Sequence, residues 1–213
     1  MKIKTVELFC GLKSFSNVAT KKGYATFTID IDPSFAPTKC ADILSVTPDE
    51  IPHAPTLLWA SPPCQGFSVA VIGRNWNHDG TPKTDSARLA MEIAQKTLFL
   101  IKKVRPKYWF IENPRGMLRK MPWMEKFLED MGGVRHTISY CQYGDTRQKP
   151  TDIWTNALFW KPRAICKPGA PCHEPAPRGS RTGTQGIKGE ANRSAIPAGV
   201  FEEIFKHYER GKK

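Results

Sequence analysis

The sequence predicts an α/β fold, a mostly parallel sheet with helices on both faces, and two observations carry that prediction. The first hundred residues alternate short apolar runs with amphipathic stretches, the rhythm of βαβ units. The residues able to do chemistry stand directly after those runs, where an open parallel sheet gathers its ligands. A length of 213 residues supports one sizeable core, with room for a small appendage.

The elements follow in order. Thr5 to Phe9 reads as a strand, Cys10 to Ser16 as a turn, and Phe15 to Gly23 as a short helix that Gly23 stops. Ala25 to Ile31 is a second strand, and Phe35 to Cys40 is a connection leading to Ala41-Asp42-Ile43. Thr56 to Ala60 is a buried strand that feeds Ser61-Pro62-Pro63-Cys64-Gln65-Gly66-Phe67-Ser68. Residues 69–85 lack a period and read as a long loop of the kind that closes over a site. Asp85 or Ser86 caps a helix running to about Val104. Lys107 to Glu112 is the next buried strand, and a Met- and Trp-rich helix follows near Trp123 to Met131. Val134 to Tyr140 and Thr151 to Phe159 are later strands. Residues 161–192 carry five of the eighteen prolines and five of the sixteen glycines, which predicts an irregular basic segment. Ser194 to Tyr208 closes the chain as a helix with Ile196, Val200, Ile204 and Phe205 on one face. The division expected is a catalytic and cofactor-binding domain over 1–160, the irregular segment over 161–192, and a returning helix over 193–213.

Charge is unevenly spread. Residues 1–100 hold 10 Lys/Arg against 9 Asp/Glu, whereas 101–213 hold 22 against 11. A neutral half joined to a strongly basic one points to a polyanion partner. No apolar run approaches the roughly 18 residues of a membrane span. The start Met1-Lys2-Ile3-Lys4 runs straight into a strand, which predicts no signal peptide. Six unevenly spaced cysteines do not form a secreted disulfide framework, so reduced thiols and a cytoplasmic location are expected.

The segment around Cys64 is the strongest functional signal. Pro62 and Pro63 fix φ on the approach to the thiol and remove two backbone donors, while Gly66 loosens the backbone just beyond. A strand ending in a stiff turn is how a nucleophile is displayed. Glu112-Asn113-Pro114 stands at the end of another strand, and Pro114 biases Asn113 toward extended geometry. A thiolate and a carboxylic acid in one crevice are what conjugate addition to a pyrimidine needs. The thiolate attacks C6, the acid hydrogen-bonds or protonates N3, and C5 becomes nucleophilic. Asp30 ends the second strand, where such folds bind ribose hydroxyls.

With these residues in view the chain resembles the cytosine-C5 DNA methyltransferases. Glu7-Leu8-Phe9-Cys10-Gly11, continued by Leu12, resembles the family's first cofactor motif. Asp30, with Ile31 after it, sits where the family has an acidic residue on the adenosine ribose, and Asp42-Ile43 is similar to the segment that meets the adenine. Pro63-Cys64-Gln65, preceded by Pro62, matches the catalytic motif, and Glu112-Asn113 the cytosine-binding motif. Tyr143-Gly144 opens a segment similar to the one that positions the base, and Ser194-Ala195-Ile196-Pro197 resembles the late motif completing the cofactor pocket.

The resemblance implies a Rossmann-like fold and S-adenosyl-L-methionine as methyl donor. It also implies DNA as substrate, with the target cytosine flipped out of the stack. Cys64 would be the nucleophile and Glu112, with Asn113, would hold the base. The cofactor would lie among Phe9, Cys10, Gly11, Leu12, Asp30, Ile31, Asp42, Ile43, Pro62, Ser194 and Ala195. Pro63, Gln65, Ser68, Arg74, Asn75 and Trp76 are the expected substrate contacts.

Departures from the family pattern are informative. Lys13-Ser14 replaces a glycine-rich pair, and Pro114 stands where the family usually has valine. The Gln-x-Arg-x-Arg segment appears as Arg147-Gln148-Lys149-Pro150-Thr151, with Lys149 at one arginine position and Arg147 close by. A lysine does not copy arginine's bidentate fork. Only about 35 residues separate this segment from the final motif, too few for the family's target-recognition domain. Two alternatives follow: C5 methylation of RNA or a free cytidine nucleotide, or an inactive nucleic-acid-binding relative. A partner protein could also supply recognition. No metal is expected. Cys141, Cys166, Cys172 and His173 form the one set that could hold zinc, but their spacing matches no common zinc motif and adjacent Cys-His ligands are awkward.

Overall fold

Alternation along two central strands decides the architecture. In the computed structural model, which describes residues 4–167, 169–175 and 189–211, β4 (Leu57–Ala60) and β5 (Tyr108–Pro114) lie side by side and parallel. Leu58, Ala60, Trp109 and Ile111 enter one hydrophobic cluster, while Leu57, Trp59 and Phe110 enter another on the opposite face. A strand buried on both faces must be covered by helices on both. Helix α3 (Asp85–Val104) and helix α4 (Pro122–Met131) supply Leu98, Ile101 and Phe127 to the first cluster. Helix α1 (Ser14–Lys21) and helix α6 (Ala198–Arg210) supply Phe15, Phe201 and Phe205 to the second. Trp59 anchors that second cluster, edge-on to Phe201 at 4.7 Å and stacked with Phe110 at 5.7 Å.

The sheet has seven strands, completed by β1 (Lys4–Leu8), β2 (Ala25–Asp30), β3 (Lys39–Cys40), β6 (Val134–Ser139) and β7 (Pro150–Thr155). Their order is β3-β2-β1-β4-β5-β7-β6. The first five are parallel, and β7 runs antiparallel to both β5 and β6. Strand order reverses between β1 and β4, so the carboxyl ends of β1, β2, β4 and β5 surround the crevice where such sheets bind ligands. No described helix is long and apolar enough to cross a membrane.

The altered Lys13-Ser14 pair has a local explanation. Lys13 precedes α1 at φ +56° with no side-chain cap of its own. Glu7, reaching from β1, accepts instead from the backbone N–H groups of Phe15 (3.1 Å) and Ser16 (2.9 Å) and from the Ser16 hydroxyl. A carboxyl thus satisfies the first turn of α1 from a distance. Burial pushes Glu7 up to about 7 even against these bonds.

Three expectations change. The closing helix is two helices, α5 (Glu190–Ser194) and α6. Pro197 sits at the N-cap of α6, lacks an N–H and drives Ile196 out of helical geometry. The loop over 69–85 contains the four-residue helix α2 (Ile72–Asn75) and a bridge pairing Trp76 with Pro82. Thr84 caps α3, its Oγ1 accepting from Ala87 N at 3.2 Å. Part of the irregular segment expected over 161–192 lies outside the described residues.

Candidate active site

One cleft of about 1240 Å³ runs across the carboxyl ends of the parallel strands. That exceeds the roughly 300–1,000 Å³ of an ordinary small-molecule pocket, so it has room for two ligands. Its two ends differ. At one end Phe9, Gly11, Asp30, Ile31, Asp42 and Ile43 line the wall. At the other stand Pro62, Pro63, Cys64, Gln65, Ser68, Glu112 and Lys149, and Ser194 lines the cleft as well.

At the first end the backbone is tightly bent. Phe9, Gly11 and Lys13 all have positive φ, so the chain turns sharply between β1 and α1. Asp30 ties that turn to the end of β2, accepting from Gly11 N at 2.8 Å and, locally, from Asp32 N at 3.0 Å. Ile31 projects from the tip of β2 and is 66% exposed, an apolar surface left bare inside a cleft. Lys13 Nζ donates to Ala36 O at 2.6 Å and closes the loop behind it.

At the second end the Cys64 turn is fixed from below. Asn113 Nδ2 donates to Pro62 O at 2.9 Å, and Trp76 Nε1 donates to Gly66 O at 2.8 Å. Phe67 N and Ser68 N donate to Cys64 O at 3.0 and 2.9 Å, which tightens the turn around the thiol. Gly66 is needed for close approach rather than for backbone freedom: a Cβ there would stand 2.3 Å from the Ala90 Cβ on α3.

Glu112 is buried among hydrogen-bond donors. Tyr140 Oη donates to its Oε1 at 2.8 Å, and Ser61 also bonds it. Burial raises its pKa, and the Lys149 ammonium, Tyr140 and Ser61 pull the other way. Lys149 is buried too; desolvation lowers its pKa, while the charges of Glu112 and Cys64 raise it. Its Nζ lies 4.7 Å from the Tyr140 ring centroid and donates to Arg193 O at 3.1 Å. Thiol, cation and carboxyl therefore share one electrostatic environment.

Several expected contacts fall elsewhere. Asn75 and Trp76 are buried, both donate to Gly66 O beneath the Cys64 turn, and neither lines the cleft. Arg74 is exposed on α2 and does not line the cleft. Cys10 is buried, its N–H bonded to Ile29 O at 3.0 Å and its thiol pushed up to about 11 by burial. Leu12 is exposed but outside the cleft lining, and Ala195 also lies outside it. Asn113 is fully buried beneath the turn. Arg147 spends its fork on Asp145 (Nε to Oδ1 2.8 Å) and on the carbonyls of Arg193 and Ala195. With Lys149 it caps the carboxyl end of α5, a favourable place for cations, so Arg147 positions that helix while its charge still reaches Tyr140 and Lys149.

Ser61, Tyr140, Arg115 and Glu174 are not among the expected site residues, and His173 is named only as a zinc candidate. Ser61 and Tyr140 bond Glu112, and Ser61, Arg115, His173 and Glu174 line the cleft. Ser61 adjoins the Cys64 turn and was legible from position. Tyr140 follows β6 on the antiparallel edge of the sheet, which no local pattern announces.

Residues 3–140, well over half of the chain, match the family of C-5 cytosine-specific DNA methylases. The chain belongs to that family. A relative from Frog virus 3 (isolate Goorha), named as a probable DNA (cytosine-5)-methyltransferase, is 25% identical over 221 residues, 95% of this chain and 99% of that protein. Among solved structures the S. pombe Dnmt2 methyltransferase matches with a TM-score of 0.53 and 16% identity, over 76% of this chain and 51% of that one. The Entamoeba histolytica methyltransferase EhMeth matches with a TM-score of 0.55 and 12% identity, over 78% and 56%. These two likenesses concern the fold. The chain spans about half the length of the solved structures it matches.

Proposed function

We propose that the chain transfers a methyl group from S-adenosyl-L-methionine to C5 of a cytosine in DNA, the base having left the duplex stack. One observation carries this reading. Cys64 and Glu112 extend from neighbouring parallel strands, where Ala60 pairs with Ile111, and both line one cleft.

The first end of the cleft suits the cofactor. The bare Ile31 side chain, with Phe9 and Ile43, offers an apolar shelf for an adenine ring. Asp30 would accept from the ribose hydroxyls; each of its oxygens takes one backbone N–H, and a carboxylate oxygen can accept a second bond. Asp42 and Ile43 would border the adenine, and Ser194 would close the far rim. Bound there, the cofactor supplies an electrophilic methyl on a sulfonium sulfur.

The chain's own residues do the remaining work. Lys149 favours the Cys64 thiolate by its charge. The thiolate adds to C6 of the cytosine, forming the S–C6 bond. Glu112, whose burial favours the protonated form, donates to N3 and neutralises the charge that the addition pushes into the ring. C5 thereby becomes nucleophilic and takes the methyl. Loss of the C5 proton to solvent water then lets the S–C6 bond break, returning the thiolate, and N3 gives its proton back to Glu112. Asn113 and Trp76 keep the turn rigid throughout.

The excess of 22 Lys/Arg over 11 Asp/Glu in residues 101–213 supplies backbone attraction to DNA. Residues 161–192 serve as a reduced recognition region after a catalytic domain over 1–160, so sequence selectivity is low or confined to a short motif unless a partner protein adds it.

The test offers labelled cofactor with duplex DNA, RNA and dCMP in parallel. Transfer to C5 of cytosine in DNA is expected. Transfer confined to RNA or dCMP would redirect the substrate, and no transfer with cofactor demonstrably bound would overturn the reading.

A further inference from the structure

Away from the Cys64 turn, four potential metal ligands from distant parts of the sequence meet at one point. Cys141 follows β6, and Cys166, Cys172 and His173 come from the proline-rich stretch beyond Trp160. Their ligand atoms all lie within 4.8 Å of one another. Cys166 Sγ is 3.1 Å from Cys172 Sγ and 3.4 Å from His173 Nδ1. Cys172 Sγ is 3.6 Å from Cys141 Sγ and 3.7 Å from His173 Nδ1.

A tetrahedral ion with bonds of about 2.3 Å to sulfur and about 2.0 Å to nitrogen would set sulfur–sulfur edges near ~3.8 Å and sulfur–nitrogen edges near ~3.5 Å. The four side chains already approximate that tetrahedron. We propose that Cys141, Cys166, Cys172 and His173 form a closed four-coordinate site for a structural zinc ion. Three sulfurs and one imidazole nitrogen are the donors that borderline-soft zinc prefers, and four protein ligands leave no open position for a substrate.

The surroundings fit a ligand shell. Gln142 Nε2 donates to Cys172 Sγ at 3.2 Å. Cys166 N donates to Ser139 Oγ at 3.0 Å, and Gln148 Nε2 donates to Cys166 O at 3.0 Å. Such outer bonds orient ligands before metal arrives. The three thiols lose their protons to solvent as the ion binds, and His173 coordinates as neutral imidazole through Nδ1.

The site also has a mechanical consequence. His173 and Glu174 line the active-site cleft, and Glu174 N donates to Thr146 O at 2.8 Å. The ion would fasten the root of the basic segment to the body beside the cleft, replacing the core that so short a segment cannot build.

The full chain, purified reduced and without chelator, is expected to hold about one zinc ion. Exchange with cobalt(II) should give the visible bands and thiolate charge-transfer absorption of a tetrahedral sulfur-rich site, a readout that needs no variant. Cys172→Ser and His173→Ala should each lower retained metal at least tenfold under competition by a colorimetric chelator. Cys40→Ser, which removes an exposed thiol elsewhere, should retain it. The proposal is overturned if the reduced wild-type chain takes up no stoichiometric zinc or cobalt. It is equally overturned if Cys166 and Cys172 are found disulfide-bonded in reduced preparations, or if Cys40→Ser sheds metal as readily as Cys172→Ser.

Discussion

Cys64 and the Cys141–Cys166–Cys172 group are the same residue type in opposed settings. Cys64 opens onto a wide cleft, shares its field with Lys149 and Glu112, and sits on a turn held by bonds to its backbone and to the carbonyls of Pro62 and Gly66. The other three point at one another and at a single imidazole. A nucleophile needs space, a nearby cation and a partner that accepts the charge it creates. A ligand needs its lone pairs converging on one point. The buried carboxyls divide the same way: Glu112 lines the cleft, whereas Glu7 is enclosed under the first turn of α1. Burial raises both, yet one is placed for chemistry and the other for folding.

That division can be broken at several points. Cys64→Ser should lower kcat by about 10³-fold or more, since removing a covalent nucleophile removes the pathway, while the melting temperature and metal content stay unchanged. If Cys166→Ser abolished turnover as completely without loss of fold, the two settings would not be distinct.

Glu112→Gln should cost about 10²- to 10⁴-fold in kcat, the usual size of general acid catalysis. The pH profile sharpens this. The raised Glu112 works in its protonated form, so wild-type activity falls as pH rises through its folded pKa. The Gln variant should lose that alkaline limb.

Glu7 should govern stability instead. Its folded value of about 7 lies above the usual 4.5. Between those values the folded chain holds a proton that the unfolded chain has released. Stability therefore drops as pH rises through that window, by up to about 1.4 kcal/mol per pH unit from this group. Denaturation of Glu7→Gln against wild type should show a shallower fall across the window and no added difference in slope above it. Equal slopes would contradict the assignment.

The smallest effect belongs to Arg74→Ala. Exposed on α2 and outside the cleft lining, Arg74 should leave kcat and KM within about twofold, as surface changes usually do. A tenfold rise in KM for DNA would restore it as a substrate contact.

Much of this was legible before the fold was seen, for local reasons. The parallel strands through Glu112 announce themselves as short apolar runs, and a carboxylate or thiol just past each run must fall at the sheet's ligand-binding edge. Cys64, Glu112, Asp30 and Asp42 could be read that way. Asn75 and Trp76 look available as polar and aromatic residues in a loop, whereas their N–H groups turn inward to Gly66 O. Arg147, close to an arginine position of the family's segment, has its fork occupied by Asp145, two residues earlier, which its spacing alone does not reveal. Tyr140 was illegible for a different reason: it reaches Glu112 through the antiparallel edge, and that contact leaves no spacing signature. Cys141, Cys166, Cys172 and His173 are legible as a zinc-capable set, set aside because their spacing matches no common motif, although the fold brings them together.

The account's central claim is that the Cys64 thiolate adds to cytosine with Glu112 as its acid. Intact-mass analysis after incubation with cofactor and duplex DNA carrying 5-fluorocytosine tests this most directly, because fluorine at C5 blocks the proton loss that releases the enzyme. A stable adduct of protein plus methylated strand, mapped to the Cys64 peptide and absent from Cys64→Ser, is the expected result. Cofactor bound, methyl transferred and no covalent species at Cys64 would contradict it.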